Sequence, residues 1–261
     1  MRIATWNINS VRLRIHHVLR FIKEQNIDVM CLQETKTEDE HFPISQFINV
    51  GMKYCNFRGE KSYNGVAILS KIPIKENSFE LWCGLNDTRH ISVFLENNIK
   101  IHNFYVPAGG DEPNIKLNKK FNHKINFIKE MIKFFNQNFF NNTILVGDLN
   151  IAPFENDVWS HKQLLNVVSH TKIETDALKS FIKKGNFVDI IRKNFSDAEK
   201  IYTWWSYRNK DWKKSNRGRR LDHIFISEEI RNLAKNVKIF KSIRDWDKPS
   251  DHVPVMLELK I

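Results

Sequence analysis

Cysteine is nearly absent: the chain has three in 261 residues, Cys31, Cys55 and Cys83. They form no close pair and no zinc-ligand spacing, which excludes a disulfide framework and points to a reduced, intracellular setting. Cys31 falls in the apolar run Val29-Met30-Cys31-Leu32, where a thiol is expected to be buried and inert. Long apolar runs are lacking as well; none approaches the roughly 20 residues that a membrane span requires. The first residues, Met1-Arg2-Ile3-Ala4-Thr5-Trp6, read as a strand and have neither the apolar centre nor the small-residue cleavage site of a secretion signal. A soluble, cytoplasmic protein with no membrane partner is expected. Nine glycines and seven prolines nowhere gather into a linker, and no internal repeat is evident. One domain over residues 1–261 is therefore expected.

Positive charge and aromatic side chains are plentiful. Lys and Arg number 41 against 30 Asp and Glu, a net charge of +11. Such a chain attracts polyanions, nucleic acid first; a Lys-, Asn- and Ile-rich composition carried on a solvated surface is the plainer alternative. Seven Trp and 19 Phe imply a substantial core.

Short segments rich in β-branched and apolar residues, bounded by turn formers, are expected to be strands: 2–7, 27–32, 54–57, 65–70, 91–95, 100–105, 143–147, 220–226, 237–243 and 253–259. Helical spacing puts Val11, Ile15, Val18, Leu19 and Ile22 on one face of residues 11–25. It does the same for Leu117, Phe121, Ile125, Ile128, Ile132 and Phe135 within 114–138, and for Ile173, Ala177, Leu178, Phe181 and Ile182 within 171–183. Helices mixed with runs of adjacent strands favour an α/β fold of two sheets packed face to face with helices outside, over a doubly wound parallel sheet.

Several strand ends carry polar clusters: Trp6-Asn7-Ile8-Asn9, Leu32-Gln33-Glu34-Thr35-Lys36, Asn103-Phe104-Tyr105-Val106-Pro107, Gly147-Asp148-Leu149-Asn150, Leu221-Asp222-His223 and Ser250-Asp251-His252. A rigid sheet can hold polar groups from such ends around one point. Alternation in an extended segment would put Asp148 and Asn150 on one face, and likewise Asn7 and Asn9. An Asp there can orient and deprotonate a water while an Asn donates to a charged oxygen; an Asx turn before Pro153 is the alternative. Gly147 permits close approach of a backbone or a ligand. Glu34 is either a solvated side chain or a carboxylate for a hard cation such as Mg²⁺. Asp222 enters an apolar run and needs a partner. His252 would serve, held protonated for a phosphate oxygen or paired for structure alone. Asp251 can reach a metal or an amide, and Asn7 either supports it or caps a turn.

Residues 202–221 interleave Trp204, Trp205, Tyr207 and Trp212 with Arg208, Lys210, Lys213, Lys214, Arg217, Arg219 and Arg220. Aromatics stack on bases and cations neutralise phosphates. The alternatives are core positions for Tyr202 and Trp204 and a solvated loop for the basic half.

In order and separation these motifs, together with Gly65-Val66-Ala67-Ile68-Leu69-Ser70, resemble the exonuclease III family of DNA-repair nucleases over residues 2–259. The resemblance implies a four-layered α/β sandwich, two mixed β-sheets flanked by helices. It puts the divalent-cation ligand on Glu34, with Asn7 and Asp251 in the metal-binding region, for Mg²⁺ with Mn²⁺ as a substitute. It puts the water-activating role on Asp148 with Asn150 beside it, the phosphate-contacting His on His252 buttressed by Asp222, and the active-site Tyr on Tyr105. Arg12, Trp204, Trp212, Arg217, Arg219 and Leu221 fall on its DNA-binding side. The implied reaction is hydrolysis of duplex DNA 5′ to abasic sites, with removal of 3′ nucleotides and 3′-blocking groups. A monomer is implied, cytoplasmic and associated with the nucleoid if bacterial.

Two positions depart from the family pattern: Arg219 stands where an apolar residue walls the sugar pocket, and Ala108, followed by Gly109-Gly110, stands where a polar side chain follows Tyr-Val-Pro. A phosphoesterase for inositol phosphates, sphingomyelin or RNA tails is the nearest rival, and a non-catalytic DNA-binding protein the next. The Trp/Arg-rich stretch weighs against the first, the complete set of Glu34, Asp148, Asp222, Asp251 and His252 against the second.

Overall fold

The computed structural model describes residues 1–137, 140–209 and 211–261. Six strands form the first sheet in the order β13-β14-β1-β2-β4-β3: β1 (Arg2–Asn7), β2 (Val29–Gln33), β3 (Tyr54–Arg58), β4 (Val66–Ser70), β13 (Ala234–Ile239) and β14 (Val255–Leu259). Six more form the second in the order β5-β6-β7-β8-β12-β9: β5 (Ile74–Ser78), β6 (His90–Leu95), β7 (Lys100–Tyr105), β8 (Thr143–Asp148), β9 (Phe187–Asp189) and β12 (Asp222–Ser227). A small ribbon pairs β10 (Trp204–Trp205) with β11 (Gly218–Arg219). Both large sheets are mixed: β1 runs parallel to β2 and β7 parallel to β8, while the other pairs are antiparallel.

Strand alternation sorts the side chains into layers. Ile3, Val29, Cys31, Val66 and Ile68 of the first sheet meet Ile91, Val93, Ile101, Ile144, Val146, Ile224 and Ile226 of the second in one dry core. Fully burying one such side chain contributes roughly 2 kcal/mol, so a one-residue register slip, which would turn a whole strand inside out, is heavily disfavoured. The opposite face of the first sheet, with Ala4, Trp6, Met30 and Leu32, is covered by Val18, Phe21 and Ile22 of α1 (Val11–Gln25) and by Phe47 of α2 (Ile44–Ile48). The second sheet's outer face, with Phe104, Leu145 and Phe225, lies under Phe127, Ile128, Met131 and Phe135 of α3 (Lys119–Gln137) and Leu178 and Phe181 of α5 (Lys172–Lys184). Short helices α4 (His161–Leu164), α6 (Ile190–Asn194) and α7 (Trp212–Ser215) complete the connections. The four layers are those expected. Among the described residues, no helix is long and apolar enough to cross a membrane.

Three element expectations are corrected. Helix α3 begins at Lys119, five residues late, because the Asn118 side-chain Oδ1 accepts from the Lys120 and Phe121 N–H groups and caps it there; Leu117 is outside the helix and 78% exposed. Its expected end, Asn138, lies outside the described residues. Ile173, expected on the buried face of α5, is exposed in its first turn. The last strand but one covers Ala234–Ile239, not 237–243, because the chain leaves the sheet at Phe240 and packs Phe240 and Ile243 against α1.

Toward one end of the sandwich the inner faces turn polar. Gln33 Nε2 donates to Thr5 Oγ1 (3.0 Å) and to Asn103 Oδ1 (2.6 Å), and Asn103 Nδ2 donates across to the carbonyls of Leu32 and Ala67, each at 2.9 Å. These buried amides tie the sheets together beside the candidate site.

Candidate active site

The alternation that buries the core also delivers the site. Continuing the inner face of β1 past Ile3 and Thr5 reaches Asn7; of β7 past Ile101 and Asn103, Tyr105; of β8 past Ile144 and Val146, Asp148; of β12 back past Ile226 and Ile224, Asp222. Register aligns three of them in a row, with Tyr105 beside Asp148 and Asp148 opposite Asp222. Gly147 is required in this row: at φ 143° its Cβ would lie 1.9 Å from Phe104 O. The close approach anticipated for this glycine is thus to the β7 backbone.

Glu34 breaks the alternation. Gln33 points inward, so an extended Glu34 would point away; instead its φ is 51°. Left-handed backbone is uncommon for Glu. Here it is held by Ser10 N–H donating to Glu34 O (2.8 Å), Thr35 N–H to Gly65 O (3.2 Å) and Lys36 N–H to Asn64 O (3.0 Å). The extended alternation expected for Asn7/Asn9 and Asp148/Asn150 is likewise replaced by a turn. Asn9 N–H donates to Asn7 Oδ1 (3.1 Å) and Asn150 N–H to Asp148 Oδ1 (2.9 Å), with φ of 47° and 53° at the second residue. Two matching Asx turns therefore close β1 and β8.

The side chains interlock. Asn7 Nδ2 donates to Glu34 Oε1 (2.7 Å) and Asp148 Oδ2 (2.8 Å). His252 Nδ1 is 2.8 Å from Asp222 Oδ2, and its Nε2 is 3.6 Å from Asp148 Oδ2. Asn150 Nδ2 donates to Val106 O (2.9 Å) and Asp148 Oδ2 (3.3 Å). Asp251 accepts from Asn9 Nδ2 (3.1 Å) and from the Trp204 indole (2.9 Å). Lys36, to which no role had been assigned, bridges Glu34 Oε2 and Asn9 Oδ1, each at 2.7 Å.

Burial dominates the titration here, and partners decide its outcome. It pushes the Asp148 carboxyl up to about 7, with Asp222 adding and His252 and Asn7 opposing. It pulls His252 down, but Asp222 and then Asp148 outweigh it and raise the imidazole to about 10. It would raise Glu34, yet Lys36 and the Asn7 amide hold that carboxyl below its ordinary value. Asp251 is also held low, by His252, Trp204 and Asn9 against burial. Tyr105 is driven well above the usual phenol value by burial, then by Glu34 and Asp148. The site thus pairs ionised Glu34 and Asp251 with an imidazolium and a carboxyl poised near neutrality.

Glu34, Tyr105, Asp148, Asn150, Asp251 and His252 line one cleft of about 480 Å³, walled by Trp204, Leu221 and Arg219. Asn7 and Asp222 stand behind it as supports. Arg12 is exposed on α1 and does not line the cleft. Trp212 packs on Trp205 (5.0 Å between ring centres) and donates to Asp245; Arg217 lies exposed over the Trp159 ring at 4.8 Å. Neither lines the cleft. Arg220 is no surface cation: it is fully buried and clamps Asp157 and Asp189, each at 2.8 Å. Tyr202 and Trp205 are core, and Lys210 lies outside the described residues.

The donor set suits a hard divalent cation. Glu34 and Asp251 offer ionised oxygens and Asn7 a neighbouring amide, with no sulfur among them. Asp148, Asp222 and His252 also bring their donor atoms within 4.8 Å of one another. That trio fits a metal poorly, because His252 Nδ1 is taken by Asp222 and its Nε2 faces Asp148, two carboxylates that favour a proton on the ring.

Ionised oxygens, an imidazolium and a poised carboxyl in a cleft of a strongly basic chain are the equipment of a phosphodiester hydrolase. The sequence profile of the Endonuclease/Exonuclease/phosphatase family matches residues 4–252. Over the full length of both chains the protein is 29% identical to Exodeoxyribonuclease III of Haemophilus influenzae. The structure of an AP endonuclease from Archaeoglobus fulgidus superposes with a TM-score of 0.93 at 31% identity, covering 100% of each chain. A 3′ phosphatase from Neisseria, bound to a product DNA hairpin, gives 0.91 at 26% identity over 99% of each. The chain belongs to the Endonuclease/Exonuclease/phosphatase family, in its exonuclease III branch of metal-dependent, hydrolytic DNA-repair nucleases.

Proposed function

We propose that the protein, acting as a monomeric single domain in the cytoplasm, hydrolyses duplex DNA 5′ to abasic sites and trims 3′ nucleotides and 3′-blocking groups. One observation carries this reading: Asp148, in the cleft, is braced by Asn7 at 2.8 Å and faces the His252 imidazolium at 3.6 Å. Asp148 orients the attacking water and accepts its proton, a role suited to a carboxyl near neutral pKa. Asn150 fixes the rotamer of Asp148. His252 donates through Nε2 to a phosphate oxygen as charge develops there, while Asp222 keeps the ring charged and oriented. Tyr105, buried beside Glu34 and Asp148, stays protonated and offers its hydroxyl at the cleft. Glu34, Asp251 and Asn7 would hold Mg²⁺, or Mn²⁺ in its place, which supplies Lewis-acid charge to the phosphate. Trp204 and Leu221 give apolar walls to a base-free sugar.

The test is a duplex with one tetrahydrofuran abasic analogue, incubated with protein and Mg²⁺ at low salt. Incision on the 5′ side, leaving a 3′-hydroxyl and stopped by EDTA, is expected; no incision above the EDTA control overturns the reading. A recessed 3′ end run alongside reports the trimming activity.

A further inference from the structure

One wall of the cleft holds groups that this mechanism leaves unused. Arg219 Nη1 donates to Val168 O (2.9 Å) and Ser169 Oγ (2.7 Å), and its guanidinium lies 5.4 Å from the centre of the Trp204 ring. A guanidinium has donors on three nitrogens. Its Nε and Nη2 have no partner among the described residues, and neither is a sealed, orphaned atom, so this edge opens to the cleft that Arg219 lines. Among the described residues no carboxylate forms an ion pair with it; Glu174 acts on it only at a distance.

The turn Ala108–Gly109–Gly110 supplies the second group. Lys124 Nζ donates to Ala108 O (3.2 Å) and Asn118 Nδ2 to Gly109 O (2.9 Å). In a planar trans peptide the N–H points opposite to the C=O. Pinning these two carbonyls turns the Gly109 and Gly110 N–H groups the other way, and neither has a partner among the described residues. Both glycines are left-handed, at φ 91° and 74°, and successive amides in such turns form anion-binding concavities. Ala108 and Gly110 line the cleft, while Gly109 is buried against Lys124, Val168 and Phe121, so it is the Gly110 amide that the cleft can use.

Val168 joins the two groups. A Cβ on Gly109 would lie 3.1 Å from Val168 Cγ1, and Val168 O is an acceptor of Arg219. Lys124, buried beneath the turn, is matched by Glu174 at 2.5 Å and adds rigidity without net charge. The two carboxylates that follow the turn, Asp111 and Glu112, are both exposed, where water screens them.

We propose that Arg219 and the Gly110 amide form a second phosphate subsite, apart from the position of the cut at Asp148 and His252. It holds one further phosphate of the substrate, an internal phosphodiester near the cut. The inference rests on the nuclease reading and extends it. An uncharged group at this wall leaves a half-buried guanidinium edge without an acceptor, whereas a phosphate satisfies it.

The experiment neutralises one phosphate at a time with methylphosphonates around the cut. One position other than the cut costs the wild type about tenfold in kcat/KM. Arg219→Met erases the difference, Arg219→Lys restores part of it, and Asn118→Ser, which keeps the helix cap but frees Gly109 O, reduces it. A difference that survives undiminished in Arg219→Met, or the lack of any difference in the wild type, overturns the subsite. Inorganic phosphate titrated into ¹⁵N-labelled protein gives an independent readout: the Gly110 amide and Arg219 Nε–H resonances shift. If the wild type cuts no duplex, the nuclease reading fails and this titration alone decides the subsite, unmoved resonances rejecting it.

Discussion

Asp148 and Asp222 face each other across neighbouring antiparallel strands, and the His252 ring joins their carboxylates, Nδ1 at 2.8 Å from Asp222 and Nε2 at 3.6 Å from Asp148. Opposed carboxylates on adjacent strands repel, so the imidazolium is the counter-charge that makes the row stable. Removing half of that support has a definite sign. In Asp222→Asn, His252 loses the partner that does most to raise it toward about 10. Its pKa falls, and the alkaline limb of the kcat profile moves to lower pH by about 1–2 units. The kcat at pH 7.5 drops on the order of a hundredfold. Rates across pH 5–10 for both proteins check this; an unmoved alkaline limb refutes it.

Asp148→Ala is expected to abolish cutting while leaving abasic-DNA binding largely in place, since the cleft walls and the basic surface are untouched. In the wild type the base is the ionised carboxylate, and burial lifts its pKa toward about 7. The rate therefore rises with pH through the acid limb and is lost as pH falls. A bound cation beside it would move that limb to lower pH. Rates paired with binding by fluorescence anisotropy check both parts. Normal cleavage by the variant removes Asp148 from the role.

Much of this was readable in advance where strand alternation holds. Asp148 and Asp222 are each the next inward position of a strand whose inward residues are Ile or Val, and Asn7 follows Ile3 and Thr5 in the same way, so strand alternation points them into one gap. Glu34 was not readable that way. It sits on the wrong parity and reaches the cleft only through a left-handed turn held by backbone contacts from distant segments. Asn150 and Asn9 belong to Asx turns, so of the two readings open at Asp148–Asn150 and at Asn7 the turn holds and the extended alternation does not. Arg220 shows the opposite failure. It looked like one more cation in a basic stretch, and only the tertiary structure brings Asp157 and Asp189 to it. Strand β5 is a polar, exposed edge strand without an apolar face, and it went unpredicted for that reason.

Gly147→Ala should fail by sterics. The added Cβ would lie 1.9 Å from Phe104 O and 2.8 Å from Phe104 C, both backbone atoms of the neighbouring strand. Neither can swing aside as a side chain would, and φ of 143° is itself unsuited to Ala. A loss of about 3 kcal/mol or more is expected, read as a lower midpoint in urea unfolding. Since β7 and β8 carry Tyr105 and Asp148, the surviving folded fraction should also cut slowly. A variant as stable as the wild type would show that the strands part at no cost.

Acid sensitivity should come from a buried histidine pair that does not line the cleft. Glu80 N–H donates to His90 Nδ1 (3.1 Å), so the His90 proton is on Nε2, which meets His102 Nδ1 at 3.1 Å. The His102 proton is then on Nε2, which has no partner among the described residues and lies among the Phe135 and Phe140 rings. A second proton on His102 would break this chain and charge a dry core. Burial, and next Lys100, accordingly lower His102 to about 3. The unfolded His102, with an ordinary pKa near 6.5, binds a proton between these limits while the folded one does not. This contribution to stability is complete above pH 6.5 and drains away as pH falls toward 3, at about 1.4 kcal/mol per pH unit. Other groups titrate in the same range, so the test is a difference in slopes. Unfolding free energies from pH 5 to 6.5 are compared for the wild type and His102→Asn. The wild-type slope should exceed the variant's by about that amount, and equal slopes would mean that His102 takes up its proton in the folded protein.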